Sequence, residues 1–138
     1  MFQLDPAFLA TSEPVSSLRL CDARLHADAR YPWIVLIPRI AGAVEFEDLT
    51  RSERSVLLEE VLVAGRAVRA VGAATGWSVE KLNVGQLGNI TRQLHVHVVG
   101  RRVGDDAWPG PVWGHGAARP YEAAALAVAK AAAVSALA

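Results

Sequence analysis

Gln93-Leu94-His95-Val96-His97-Val98-Val99 alternates polar and apolar side chains for most of its length. Successive side chains of a β-strand point to opposite faces, so this period-two pattern predicts a strand. Leu94, Val96 and Val98 share one face, which suits packing against a helix. Gln93, His95 and His97 share the other, each about 6.6 Å from the next. With an unperturbed pKa of about 6.5, imidazole is largely neutral near pH 7, and its nitrogen lone pair can attack an electrophile. A second imidazole two residues on can be cationic or donate a hydrogen bond to oxygens of the group under attack, and a strand holds both rings more firmly than a loop. The same pattern also describes a solvated strand face. It also fits two ligands of a metal site that takes its third from elsewhere, although His26 and His115, the remaining histidines, lack ligand-motif spacing.

Outward from this strand, the turn-rich segment Gly85-Gln86-Leu87-Gly88-Asn89 separates it from a second predicted strand near Ser78–Val84. Trp33-Ile34-Val35-Leu36-Ile37, bounded by Pro32 and Pro38, is five apolar residues in a row, the signature of a strand buried on both faces. Thr50-Arg51-Ser52-Glu53 has capping-box spacing and opens a helix from about Arg51 to Thr75. Leu57, Val61, Ala64, Val68 and Val71 form its apolar stripe, Arg54, Arg66 and Arg69 lie off it, and Gly76 supplies the stop. Nearer the amino terminus, Pro6–Leu9 reads as a helical turn capped by Asp5. Ser17–Leu20 and Arg24–His26 read as short strands, with Asp22 breaking or bulging between them. Pro120 and Glu122 open an alanine-rich C-terminal helix, since alanine loses no side-chain entropy in a helix. Strands come in runs rather than in strict βαβ alternation. The predicted class is α+β, a mainly antiparallel sheet with a long central helix and a C-terminal helix on one face.

Composition bounds what such a fold can do. The 138 residues make one domain, 1–138, large enough for a real core. Fourteen basic side chains balance fourteen acidic ones, so no bulk charge points to nucleic acid or a membrane surface, and phosphate chemistry must come from a local site. A single cysteine, Cys21, excludes an internal disulfide and fits a buried position in a reducing compartment. No secretory signal is visible at the amino terminus. The apolar tail Ala123–Ala138 is shorter than the ~20 residues a membrane span needs. A cytoplasmic protein is expected.

Lys81-Leu82-Asn83-Val84-Gly85, the Gly88-Asn89 turn and Gln93-Leu94-His95-Val96-His97-Val98-Val99-Gly100-Arg101 together resemble the histidine-triad (HIT) superfamily of nucleotide hydrolases and transferases. Its signature is His-φ-His-φ-His-φ-φ, with φ apolar. The resemblance extends upstream to Asp28, the Trp33–Pro38 strand and the long helix, giving a HIT-like core of about 18–104 with a C-terminal loop and Ala-rich helix at 105–138. It implies that His95 is the nucleophile, attacking the α-phosphorus of a nucleotide to give a nucleotidyl-histidine that water resolves. It further implies that His97 binds phosphate oxygens or the bridging atom, assisted by Asn83, Asn89 and Gln93, with Thr91 near the leaving group and Asp28 on the ribose hydroxyls. No cofactor or resident metal is implied. A nucleoside phosphoramidate or diadenosine polyphosphate is the expected substrate, and a homodimer the expected assembly.

Three departures from the signature carry expectations of their own. Gln93 replaces the first histidine, a supporting position whose backbone carbonyl orients the attacking ring. Thr91 sits one position later than the family's usual hydroxyl. Trp33 stands where some members carry another histidine, so that auxiliary polar contact is expected to be absent. Arg101 and Arg102 read either as partners for distal phosphates or as solvated charges at a strand end. Asp105-Asp106 reads as turn chemistry, and Trp108 and Trp113 can close over a base, meet a partner subunit or cap the core. Two rivals to the hydrolase remain, a nucleotide sensor with little turnover and a metal-binding structural protein.

Overall fold

The apolar run Trp33–Pro38 is the central strand of a five-stranded antiparallel sheet, and every one of its six residues is buried. In the computed structural model, which describes residues 1–138, the elements are α1 (Pro6–Thr11), β1 (Ser12–Ser17), β2 (Cys21–His26), β3 (Trp33–Pro38), a 3-10 turn (Phe46–Asp48), α2 (Arg51–Ala74), β4 (Lys81–Gly85), β5 (Val96–Arg101) and α3 (Ala123–Leu137). The sheet order is β1-β2-β3-β5-β4. The α+β class with two helices on one face is as expected.

Strand alternation divides the interior into two layers. Leu25, Ile34, Leu36, Leu94, Val96 and Val98 point toward α2 and α3 and pack with Leu57, Ala64, Val68, Ala129 and Ala133. Trp33, Val35, Ile37 and Val99 point the other way, where Phe8 of α1 and Ala107 and Val112 of the C-terminal loop cover them. α2 begins with the capping box that its sequence announces: Glu53 N–H donates to Thr50 Oγ1 at 3.1 Å, and Thr50 N–H donates to Glu53 Oε2 at 2.8 Å. Arg54, Arg66 and Arg69 face water. Glu60 of α2 is buried, accepting from the N–H groups of Leu20 and Cys21 at 2.8 and 2.9 Å and so tying the helix to the start of β2. Cys21 itself is fully buried, and burial together with Glu60 pushes its thiol pKa upward, which keeps it protonated.

Four element boundaries differ from the sequence expectation. β1 occupies Ser12–Ser17 and runs through Pro14, while most of Ser17–Leu20 is the turn to β2. An edge strand tolerates proline because the lost N–H need not serve the ladder, and the pairing shifts register between Pro14 and Ser16. Asp22 does not break β2 but pairs with Ile37 inside it. β4 starts at Lys81 rather than Ser78, and β5 starts at Val96, so Gln93–His95 precede the ladder. There the Leu94 N–H bonds to Ala43 O at 3.0 Å, away from the neighbouring strands. No helix is long and apolar enough to cross a membrane.

Candidate active site

His97 lies on β5 opposite Val35 of β3, and His95 stands just ahead of the same strand. Although His95 lies outside the ladder, the alternation persists: Leu94, Val96 and Val98 enter the helix-side core while the two rings emerge together on the other face. Their centroids are 4.9 Å apart and their planes cross at 81°.

Their hydrogen-bond partners fix opposite tautomers. His95 Nδ1 lies 2.6 Å from Gln93 O. A carbonyl oxygen only accepts, so Nδ1 carries the hydrogen and Nε2 keeps its lone pair. His97 Nδ1 lies 3.0 Å from Trp33 Nε1. An indole N–H only donates, so here Nδ1 is the acceptor and the hydrogen sits on Nε2. Burial, with His95 and His26 as neighbours, pushes the His97 pKa down to about 3. Burial likewise pushes His26 down to about 4, against a small opposing pull from Asp28. The His26 ring rests on Trp33, with centroids 4.1 Å apart.

Both site histidines line a cleft of about 540 Å³, together with Asp28, Asn89 and Thr91. Asn83 does not line it. Its Oδ1 accepts from Arg101 Nη1 at 2.7 Å, in a network sealed by the C-terminal loop. Arg101, with a side chain only 1 % exposed, pairs with Asp105 at 2.8 Å and donates to Gly110 O at 2.9 Å. It is therefore neither a solvated strand-end charge nor free for a distal phosphate, because alternation along β5 points it to the face that loop 105–114 covers. Burial would raise the Asp105 carboxyl pKa, but the bonds from Arg101 and two backbone N–H groups outweigh it and hold it low. Arg102 lies over the Trp77 ring, with its guanidinium carbon 4.4 Å from the centroid.

Gln93 does not offer its carboxamide to the cleft. Its Nε2 donates to Gln3 O and its Oε1 accepts from Asp5 N–H, both at 2.8 Å, so the side chain fastens the amino-terminal segment. Phe8 of that segment meets the His95 ring edge-on, with centroids 4.9 Å apart. Asp28 turns its carboxylate into the cleft wall, where Arg30 binds it with Nε and Nη2 and the Arg119 N–H donates at 3.2 Å. Burial pulls the Asp28 pKa upward, and these bonds outweigh it.

Among the lining residues, sequence reasoning assigned no site role to His26 or Arg30, and it left Trp113 open between closing over a base, meeting a partner subunit and capping the core. His26 precedes Asp28 by two positions at the end of β2, a spacing that could have placed it beside β3. The expected loss of a polar contact at Trp33 is corrected, since the indole N–H supplies one. Trp113 packs so tightly on β4 that a Cβ added to Gly85 would stand 2.7 Å from its ring. No group of three or more His, Cys, Asp or Glu side chains is placed to hold a metal ion.

Chemically, the cleft pairs an imidazole lone pair with an imidazole N–H donor at one point. The HIT domain family matches residues 10–104. A histidine triad (HIT) protein from Sinorhizobium meliloti 1021 is 40% identical, with 98% of this chain and 96% of that one aligned at a TM-score of 0.88. A histidine triad protein from Marinobacter aquaeolei VT8 is 36% identical over 99% and 96% of the two chains, TM-score 0.88. One from Bradyrhizobium japonicum is 32% identical over 99% and 98%, TM-score 0.90. Curated proteins include no significant match.

Proposed function

The chain belongs to the HIT domain family, and from that premise we propose that it is a cytoplasmic nucleotide hydrolase or transferase acting at the α-phosphate through His95. The observation that carries this reading is the pair of rings 4.9 Å apart with a lone pair on His95 Nε2 and a hydrogen on His97 Nε2, facing one cleft. A nucleoside phosphoramidate or diadenosine polyphosphate places its α-phosphorus against His95. The P–N bond forms as the leaving group departs, and water then releases the nucleoside monophosphate. His97 Nε2–H donates to a phosphoryl oxygen, with Asn89 and Thr91 adding donors from the β4–β5 turn. Fixed donors aimed at developing charge supply most of the acceleration in such transfers. Asp28 serves the ribose end through a carboxylate it shares with Arg30. Gln93 contributes its backbone carbonyl, which keeps the His95 proton on Nδ1. The assembly is a homodimer.

His95→Ala tests the reading. Release of nucleoside monophosphate should fall by at least roughly 10³-fold, as for loss of a nucleophile elsewhere, and wild-type protein quenched in alkali should carry a nucleotide on His95. Full activity in the variant overturns the mechanism. Tight nucleotide binding by wild type, with no turnover and no trapped adduct, replaces it with a nucleotide sensor.

A further inference from the structure

We propose that Trp33 is a positioning residue that decides which bonds this site can break, by holding His97 as an Nε2–H donor and thereby favouring leaving groups that depart without a proton. The inference rests on the nucleotidyl-transfer reading above and narrows its substrate to phosphoric anhydrides, the class of dinucleoside polyphosphates, over phosphoramidates.

The argument starts from the 3.0 Å hydrogen bond between Trp33 Nε1 and His97 Nδ1. An indole nitrogen has a hydrogen and no available lone pair. To become imidazolium, His97 would need a second hydrogen on Nδ1, pointing directly at the Trp33 N–H. Two donors would then face each other in a buried place, and one would be left unsatisfied. No nearby carboxylate relieves the conflict. Around His97, β5 contributes His95, β2 contributes His26, and the C-terminal loop contributes the Trp113 ring. The Asp28 carboxylate in the cleft wall is paired with Arg30, 2.9 Å between Nη2 and Oδ2. His97 therefore donates a hydrogen bond but has no proton to give away, because a neutral imidazole that lost its Nε2 hydrogen would become an anion.

The consequence falls on the leaving group. His95 Nε2 uses its lone pair to form the P–N bond, and the bond from the α-phosphorus to the leaving atom breaks with its electron pair going to that atom. With an anhydride the leaving atom is a terminal phosphate oxygen, whose conjugate acid ionises near pH 6, so it departs as an anion and needs no proton. With an alkyl phosphoramidate it is an amine nitrogen, whose ammonium form has a pKa of about 10, and expulsion as an amide anion is prohibitive. Water then attacks phosphorus, the P–N bond returns its pair to His95, and the water proton goes to solvent. Only the amine route requires an acid that this site lacks.

The test measures monophosphate release from a diadenosine polyphosphate and from an adenosine 5′-phosphoramidate of an alkylamine, alongside 15N NMR of the histidine rings. Wild type should favour the anhydride by roughly 10²–10⁴-fold, the usual worth of a general acid. Its His97 should show Nε2–H and unprotonated Nδ1 from pH 8 to pH 5. Trp33→Phe frees Nδ1, so the preference should shrink at least tenfold and amidate cleavage should rise as pH falls. Comparable cleavage of both substrates by wild type, or an Nδ1–H signal from its His97, overturns the proposal even if Trp33→Phe fails to fold. If both substrates give a trapped His95 adduct at equal rates, this inference fails while the parent reading stands. If neither gives one, both fail.

Discussion

His26 and His97 are two imidazoles held neutral inside the protein, at pKa values of about 4 and about 3, chiefly by burial. In the unfolded chain each would titrate near 6.5. Between those values the unfolded state binds more protons than the folded one, so stability increases with pH through that window. The contribution is fully present above about pH 6.5 and is lost as pH falls toward 4 and below. Asp28 and Asp105, whose carboxyl pKa values are lowered in the fold, lose their contributions in the same direction at the acid end. We expect unfolding free energy to drop by about 6 kcal/mol between pH 7 and pH 4, since each ring loses roughly 2 pKa units of advantage across that window and a unit is worth about 1.4 kcal/mol. Urea denaturation at pH 7, 5.5 and 4 checks this, and a flat profile would show that the rings are solvated.

The elements themselves were largely legible, and where they were not the reason is tertiary. Trp33–Pro38 and Arg51–Ala74 follow from local signals, an unbroken apolar run and a capping box, that need no partner to be recognised. β1 was obscured by Pro14, because only its position at the sheet edge makes a proline harmless there. Within the site, period two was enough to bring His95 and His97 to one side. It could not reveal that Gln93 turns to the amino-terminal segment, that Arg101 is sealed under loop 105–114, or that Asn83 spends its carbonyl on Arg101. Each of those depends on residues distant in the chain or on loops whose paths leave no periodic trace. Gly100 was another silent position, read only as part of the motif. A Cβ there would stand 2.7 Å from Pro32 Cγ, 2.8 Å from Val79 Cγ2 and 2.9 Å from Val68 Cγ1, so β5, α2 and the loop before β3 meet at a point only hydrogen fills. Three neighbours cannot all retreat, and Gly100→Ala should cost about 1–3 kcal/mol despite alanine's lower backbone entropy. A denaturation midpoint equal to or above wild type would mean that the packing between α2 and the sheet is looser than described.

Across the whole molecule, the sheet ends at β1 on one side and at β4 on the other. α3 packs against β1, whereas β4 ends the sheet with no strand beyond it. An open edge is a template for another strand unless something blunts it. Beside this edge the surface is largely apolar, with Arg54 among the residues that line it. Leu58 is 60%, Leu62 52%, Val84 52% and Phe46 45% exposed, and a groove of about 300 Å³ lies between α2 and β4. Such a patch next to an unpaired strand suits the isologous contact of a two-fold dimer, in which the same face serves both copies. For the homodimer proposed above, we expect the contact to form here, with β4 meeting its symmetry mate and α2 covering the seam. Leu58→Arg combined with Val84→Lys puts like charges on both sides of that contact without touching the helix-side core, since both side chains are exposed in the single chain. Sedimentation equilibrium at micromolar concentration should give twice the 14.7 kDa chain mass for wild type and the single mass for the double variant. Far-UV circular dichroism should be unchanged, which separates dissociation from unfolding. Wild type sedimenting as a monomer, or a dimer that survives both charges, would move the interface elsewhere or remove it.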